Sequence, residues 1–471
     1  MERKTPVIPP EELERQAEYR RRVRELNAGR AAASLAYVDT YGCQQNEADS
    51  ELLRGMLLDM GYGMTDTDKD ADVIVINTCA VREHAEQRVF GNIGALVHGK
   101  RRRPSQIICV CGCMAAQPQV AERIKTSYRH VDLVFAPQSL WKFSELFYRI
   151  YTRRGRLFDC APEVGSIAEG LPQYRQGKVK AWVSIMYGCN NFCSYCIVPY
   201  TRGRERSREP EAVLAEIRAL AGAGYRDITL LGQNVNSYGK DLGSPMDFPT
   251  LLEQANAIPG DFLLRFMTSH PKDAGERLFD AMRRCEKVAP AIHLPFQAGN
   301  DRVLAAMNRK YTRAEYLAKV RALRERIPDV VLTSDVIVGF PGETTVEFED
   351  TLSLIEEVRF DALFTFIYSP RPGTPAASMP DPLSKEEKSA NFNRLVAAQD
   401  QISHEKHQAY VGTVQRCLVD ALSDDPRNNL NARTPGGRLV HLTGSPELVG
   451  RFADVKITDA STWALFGELT P

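Results

Sequence analysis

The sequence predicts an α/β protein with an amino-terminal doubly wound parallel sheet, a central partial (β/α)6 barrel and a small carboxy-terminal β-barrel. Two patterns carry that prediction. Short apolar runs alternate with helix-length stretches from residue 35 to 409, and beyond residue 410 strand-like runs are separated only by turn residues. The length agrees, since 471 residues make about three domains with cores of their own. At 43% apolar and 25% charged, the composition is that of an ordinary globular chain and excludes long disorder, coiled coil and collagen-like repeat. Sixty basic residues balance sixty acidic ones, so nucleic acid or anionic lipid has to be held by local clusters rather than by an overall field.

Residues 1–34 read as a charged tail, either a frayed helix or disordered, carrying Arg20, Arg21 and Arg22 without a sustained apolar stripe. Residues 35–152 form the first domain. Its runs AYVDT, DVIVINT, QIICVC and VDLVFA are buried strands, and the helical stretches 46–60, 82–98 and 114–126 lie between them, as parallel pairing requires. Residues 153–178 hold Pro162, Pro172 and four glycines without periodicity and read as a linker.

From 179 to 409 six further runs recur: VKAWVSIMY, DITLLGQN, FLLRFMTSH, AIHLPFQ, VVLTSDVIVGF and ALFTFIYS. Six βα units are too few to close an eight-fold barrel, so an open barrel is expected, with reactive loops at the carboxyl ends of its strands. Ser384 and Glu387 have capping-box spacing and open a long polar helix reaching about Tyr410. Residues 410–471 contain VGTVQRCLV, GRLVHLT and ADVKIT and make the small β domain. The first residues lack the apolar core of a signal peptide, and no run reaches 18 apolar residues, so a cytoplasmic protein without a membrane anchor is expected. In that reducing compartment grouped cysteines are metal ligands or catalytic thiols rather than disulfides.

Among the eleven cysteines, Cys189, Cys193 and Cys196 stand out in GCNNFCSYC, directly after the first strand of the second domain. Three thiolates on a tight loop hold three irons of a cubane cluster and leave one open, as a catalytic metal site requires. A structural zinc is the competing reading, but no fourth ligand or second knuckle stands nearby. Cys43, Cys79 and Cys113 form a dispersed triad. Each follows a successive strand of the first domain at intervals of about 35 residues, so all three reach the one sheet edge where ligands bind. Three unrelated core cysteines are the alternative. Cys109 and Cys111 precede a strand end and read as core, while Cys160, Cys285 and Cys417 have no companions.

Gln233 ends the second barrel strand, and Gly339 and Gly342 end the fifth. Such positions face a cofactor, and glycine admits close backbone approach, although ordinary turn chemistry also uses glycine there. His293, Gln297 and Asp335 lie at or near strand ends, either bonding cofactor or base or satisfied within the core. Arg202, Arg204, Arg206 and Arg208 alternate beyond the first triad, so an extended chain would line them on one face as RNA phosphate contacts or as a solvated stripe. The run from Lys100 to Arg103 enters its strand from the opposite side and is discounted.

GCNNFCSYC resembles the signature of radical S-adenosylmethionine (SAM) enzymes, and YGCQQNEADSE and INTCAVRE are similar to the amino-terminal domain of the methylthiotransferases among them. The resemblance runs from about residue 35 to the end and includes a segment similar to a TRAM domain. NNFCSYCIVPYTRGRERSR and LLGQNVNSYG look most like members that act on isopentenylated tRNA. Gln45 departs from the pattern, where the family more often carries methionine.

The resemblance implies two 4Fe-4S clusters, one on each triad, with SAM as radical source and methyl donor. The open iron on the Cys189, Cys193 and Cys196 cluster would chelate SAM, and an electron would break its sulfonium bond. The resulting deoxyadenosyl radical would take hydrogen from carbon 2 of N6-isopentenyladenosine at position 37, beside the anticodon. That carbon has no acidic proton, so a radical route suits it. The cluster on Cys43, Cys79 and Cys113 would deliver the methylated sulfur. Implied partners are the tRNA anticodon stem-loop, an electron donor such as flavodoxin or ferredoxin, and a sulfur or cluster carrier. The same chemistry on threonylcarbamoyl-adenosine or on a ribosomal protein aspartate is the near alternative. A non-catalytic, zinc-stabilised RNA-binding protein is the distant one.

Overall fold

Val73 and Val75 face one side of their strand, Ile74 and Ile76 the other, and all four are buried, which places this strand inside a sheet covered on both faces. The computed structural model describes residues 6–30, 32–80, 83–160, 165–425 and 427–470, without side chains at 83–85. Residues 1–5 of the expected tail and Pro162 of the expected linker lie outside that set. The first sheet is parallel throughout and runs, edge to edge, Gly63–Met64, Leu35–Thr40, Val73–Thr78, Ile107–Gly112, Leu133–Phe135 and Leu157–Asp159. Helices Gln44–Asp59 and Phe143–Arg153 cover one face; Glu83–Arg102 and Pro118–Ser127 cover the other.

Two readings of the sequence change here. Pro10–Ala28 is a 19-residue helix docked on Phe143–Arg153, not a loose tail. Its inward stripe is Gln16, Arg20, Val23 and Asn27, mostly polar and therefore invisible to an apolar periodicity. Those groups are paired: Gln16 Oε1 accepts from the Glu145 N–H at 3.1 Å, Arg20 Nε donates to Asp59 at 3.2 Å and Asn27 Nδ2 donates to the Met60 carbonyl at 2.9 Å. The segment read as a linker contributes Leu157–Asp159 as the sixth strand, which is only three residues long.

Six parallel strands build the second unit: Lys180–Ser184, Asp227–Leu231, Leu263–Phe266, Ala291–His293, Val331–Val338 and Ala362–Ile367. They form two three-stranded halves, joined where Leu264 N donates to the Lys287 carbonyl at 2.7 Å and Ala289 N to the Leu264 carbonyl at 2.9 Å. The first strand packs against the helix Gln44–Asp59 of the amino-terminal domain. Ser384 caps Lys385–Gln408 with the reciprocal Glu387 bond, as its spacing predicts.

The last unit is a closed barrel in the order Val414–Leu422, Leu430–Arg433, Leu439–Leu442, Leu465–Leu469 and Phe452–Ala460. It is fastened to the amino ends of the central strands. Arg438 pairs with buried Asp361 just before the sixth strand, Lys180 at the start of the first pairs with Asp420, and Arg265 donates to the Pro435 carbonyl at 2.7 Å. The carboxyl ends are thereby left to the chemistry.

Candidate active site

The dispersed triad is assembled by its glycines and by Asn46. Gly42 has φ +120°, and a Cβ there would lie 2.5 Å from Cys79 Cβ, so the loop carrying Cys43 lies directly against Cys79. Gly112, at φ +93°, presses likewise on the Thr78 carbonyl, to which Cys113 N donates at 2.9 Å. Cys43 is the N-cap residue of Gln44–Asp59, and Asn46 in the first turn donates to the Tyr41 carbonyl at 2.7 Å and the Thr78 carbonyl at 2.9 Å. Three strand-end loops are thus stitched into one patch. Cys43 is exposed, whereas Cys79 and Cys113 are buried. Burial pushes the Cys113 thiol up, opposed by the Arg202 charge.

The local triad is held as firmly. Gly188 has φ +76°, and a Cβ there would lie 2.1 Å from the Arg204 carbonyl, because the chain crosses itself where Cys189 N donates to the Gly203 carbonyl at 3.1 Å. Cys196 N donates to the Cys193 carbonyl at 2.9 Å, and Ser194 N to the Met307 carbonyl at 3.0 Å. Asn308 Nδ2 donates to the Phe192 carbonyl at 2.9 Å, and buried Arg309 donates to Cys193 Sγ at 3.3 Å and the Pro295 carbonyl at 2.7 Å. Burial raises Cys189 to about 11 and raises Cys196 further, with neighbouring cysteines pushing the same way. A thiol in such surroundings ligates when a cation takes the proton's place. Among the described residues no three Cys, His, Asp or Glu side chains close on a single ion; a cubane sets each thiolate on its own iron and asks for a looser triad.

The two triads meet. Ile197, next to Cys196, packs with Ala80 and Cys113 in one small apolar cluster. Gln45, the departure from the family pattern, donates to Ser184 Oγ at 2.8 Å, joining the helix Gln44–Asp59 to the first barrel strand.

The arginine stripe is not a stripe. Val198–Thr201 is one helical turn and Arg206–Ser207 a short strand, with Gly203 at φ +76° between them, so the four side chains diverge. Arg202 is 4% exposed and donates to Cys113 Sγ, Asn46 and Asp49; Arg206 is 7% exposed and bonds the Arg202 and Arg204 carbonyls. Neither is placed to touch a phosphate. Arg208 is bound to Glu169 and Glu216. Arg204 alone is exposed, lying 4.4 Å over the Phe192 ring beside Cys193.

Of the expected cofactor positions, Gln233 presents a buried Oε1 that has no hydrogen-bond partner. His293 lies 3.4 Å from Asp335 Oδ1 and 2.9 Å from Thr333 Oγ1, with its ring against half-exposed Phe364. Gln297, at φ +69°, bonds through its backbone to Asp335 and Ile337 of the fifth strand. A Cβ on Gly339 would lie 2.5 Å from Lys388 Cγ, so its lack of a side chain admits Lys388 of the long helix. Gly342 also has positive φ, +79°; a Cβ there would come no nearer than 3.9 Å to Arg302, which donates to the Gly342 carbonyl at 2.6 Å.

Sequence reasoning missed His270, Asn46 and Arg309. His270 follows the third strand; its Nδ1 accepts from the Lys272 N–H at 3.2 Å, so the ring carries its proton on Nε2, which is buried without a partner. Burial and then the Arg309 charge lower it to about 2, keeping the ring neutral. The ending FMTSH displays this histidine as plainly as AIH displays His293.

An open parallel barrel with a three-cysteine loop at its carboxyl ends defines a radical SAM protein, here flanked by a second cysteine-bearing sheet and a β-barrel. Residues 183–355 match the Radical SAM superfamily, 35–136 the uncharacterized protein family UPF0004 and 408–470 the TRAM domain. Among solved structures, the radical S-adenosylmethionine methyltransferase TsrM from Kitasatospora setae shares the fold, with TM-score 0.55 at 14% identity over 83% of this chain and 79% of that one. The tRNA-2-methylthio-N(6)-dimethylallyladenosine synthase of Acetivibrio thermocellus is 47% identical over 99% of this chain and 98% of its own. That of Caldicellulosiruptor saccharolyticus is 50% identical over 92% of each. The chain belongs to this family of radical SAM methylthiotransferases.

Proposed function

We propose that the protein adds a methylthio group to carbon 2 of N6-isopentenyladenosine at position 37 of tRNA. The observation that supports it best is the meeting of two cysteine triads, each at the carboxyl edge of its own parallel sheet, through Ile197 and Arg202. The donor sets fit two 4Fe-4S clusters, one on Cys43, Cys79 and Cys113, the other on Cys189, Cys193 and Cys196. When bound, the clusters supply electrons for cleaving SAM and hold the sulfur to be transferred.

The chain's own residues hold and orient. Asn308 and Arg309 fix the Cys193 loop, and Asn46 fixes the loops of Cys43 and Cys79. Two of the buried polar atoms without partners, Gln233 Oε1 and His270 Nε2, are assigned to cofactor or base, since such atoms stay costly until paired. His293, Gln297 and Asp335 are assigned to the same group, and Arg204 with its Phe192 platform to the RNA. Residues 35–152 would carry the sulfur-bearing cluster, 179–409 the radical chemistry and 410–471 an RNA contact. A flavodoxin or ferredoxin would supply electrons, and a carrier the sulfur. No helix among the described residues is long and apolar enough to cross a membrane, and a cytoplasmic place is proposed with the tRNA substrate.

Anaerobic enzyme with reductant, SAM and a sulfur source, offered isopentenylated tRNA, threonylcarbamoylated tRNA and the ribosomal protein, tests the assignment. A methylthio mass gain on the first alone is expected. A gain on the ribosomal protein alone would reverse the target.

A further inference from the structure

Arg202 lies six residues beyond Cys196 in the chain, yet its side chain is spent on the other triad. Its Nε donates to Cys113 Sγ at 3.1 Å, while a terminal nitrogen donates to Asn46 Oδ1 at 2.7 Å and Asp49 Oδ2 at 2.8 Å. Arg202 and Asp49 are 4% and 5% exposed. The segment that aims it is pinned at both ends: Gln138 Nε2 donates to the Thr201 carbonyl at 2.8 Å, and Arg206 donates to the Arg202 carbonyl at 3.1 Å.

A buried ion pair is weak support for stability, because desolvating both charges offsets most of their attraction. Stability alone therefore does not account for an arginine drawn from the barrel into the sheet domain. The fork faces a sulfur with one nitrogen and a carboxylate with another, so its positive end is nearer the thiol than Asp49 is. Hydrogen bonds to cluster sulfurs and nearby positive charge favour the more reduced, more negative form. Asp49 opposes that from farther away and keeps the fork in place.

We infer that Arg202 is a positioning residue that sets the reduction potential of the cluster on Cys43, Cys79 and Cys113, raising it through the bond to Cys113. The inference rests on the proposed reading of those cysteines as cluster ligands. It also ties the two sites together, since Arg202 reaches Cys113 only while the one-turn helix Val198–Thr201 holds the segment after Cys196 against the sheet domain.

The test uses the full chain with Cys189, Cys193 and Cys196 replaced by Ala, so that one cluster loads, reconstituted anaerobically with iron and sulfide. Midpoint potentials are read by redox titration with electron paramagnetic resonance. Replacing the pair together, Arg202→Gln with Asp49→Asn, strands no buried charge. It is expected to lower the reduced-to-oxidised ratio at a fixed potential at least tenfold, about 59 mV for one electron. Asp49→Asn alone leaves Arg202 unopposed and is expected to move the midpoint the other way, and it decides the matter if the double variant loads no iron. An unmoved midpoint in iron-loaded variants overturns the role of Arg202. A parent chain that takes up no iron contradicts the cluster reading itself, and the inference falls with it.

Discussion

The side-chain amide of Asn46 donates to the Thr78 carbonyl at 2.9 Å and thereby closes the loop of Cys43 onto the loop of Cys79. The same amide holds the Tyr41 carbonyl, and Asn77 returns a bond to the Asn46 carbonyl at 2.8 Å. A dispersed triad of this kind exists only while its loops are held, so its integrity depends on a residue that ligates nothing.

Asn46→Ala removes both hydrogen bonds, leaving the Tyr41 carbonyl without its donor and the Thr78 carbonyl with the Cys113 N–H alone, at about 1–3 kcal/mol for a buried group left unsatisfied. The expected outcome is a folded protein that loses the irons of one cubane, about four, while SAM cleavage persists. Iron analysis together with deoxyadenosine formation checks it; full iron content would show that Asn46 is dispensable.

What the sequence made legible was local or periodic. GCNNFCSYC is contiguous, and the six barrel strands each stand out as a short apolar run between helix-length stretches. The dispersed triad emerged because parallel strands end on one edge, which turns three separate intervals into one place. The arginine stripe misled, since alternate residues share a face only in an extended chain and Gly203 bends this one. The docking of the helix Pro10–Ala28 was hidden because it buries Gln16, Arg20 and Asn27 through pairing rather than through apolar area. His270 stood in view at the end of FMTSH, but the unpartnered nitrogen that marks it out needed three dimensions.

Asp361 is buried between Arg438, Lys406 at 3.2 Å and the Leu332 N–H at 2.7 Å. Arg438→Met is expected to destabilise the join between the two barrels by about 3 kcal/mol, because it leaves a buried carboxylate with a weaker partner. Denaturant unfolding checks this. An unchanged midpoint would mean that the terminal barrel is held elsewhere.

Glu343 accepts from the Gly339 N–H at 2.6 Å, but its other oxygen is buried and unpaired, and burial lifts its pKa to about 7 from 4.5. Between those values the folded chain holds a proton that the unfolded chain has lost, so stability falls as pH rises, by on the order of 3 kcal/mol once above both. Glu343→Gln stays neutral and lacks this slope. The gap in unfolding free energy should move in favour of Glu343→Gln on going from acid to mildly alkaline buffer, and parallel pH profiles would contradict the burial argument.

The central claim is that six cysteines divide into two clusters with separate tasks. Its most direct measurement is iron and turnover in the anaerobically reconstituted chain beside Cys43→Ala/Cys79→Ala/Cys113→Ala. Two cubanes predict about eight irons falling to about four, with SAM cleavage retained and sulfur insertion into isopentenylated tRNA abolished. Stoichiometric zinc in place of iron, or loss of SAM cleavage in the folded triple variant, would contradict it.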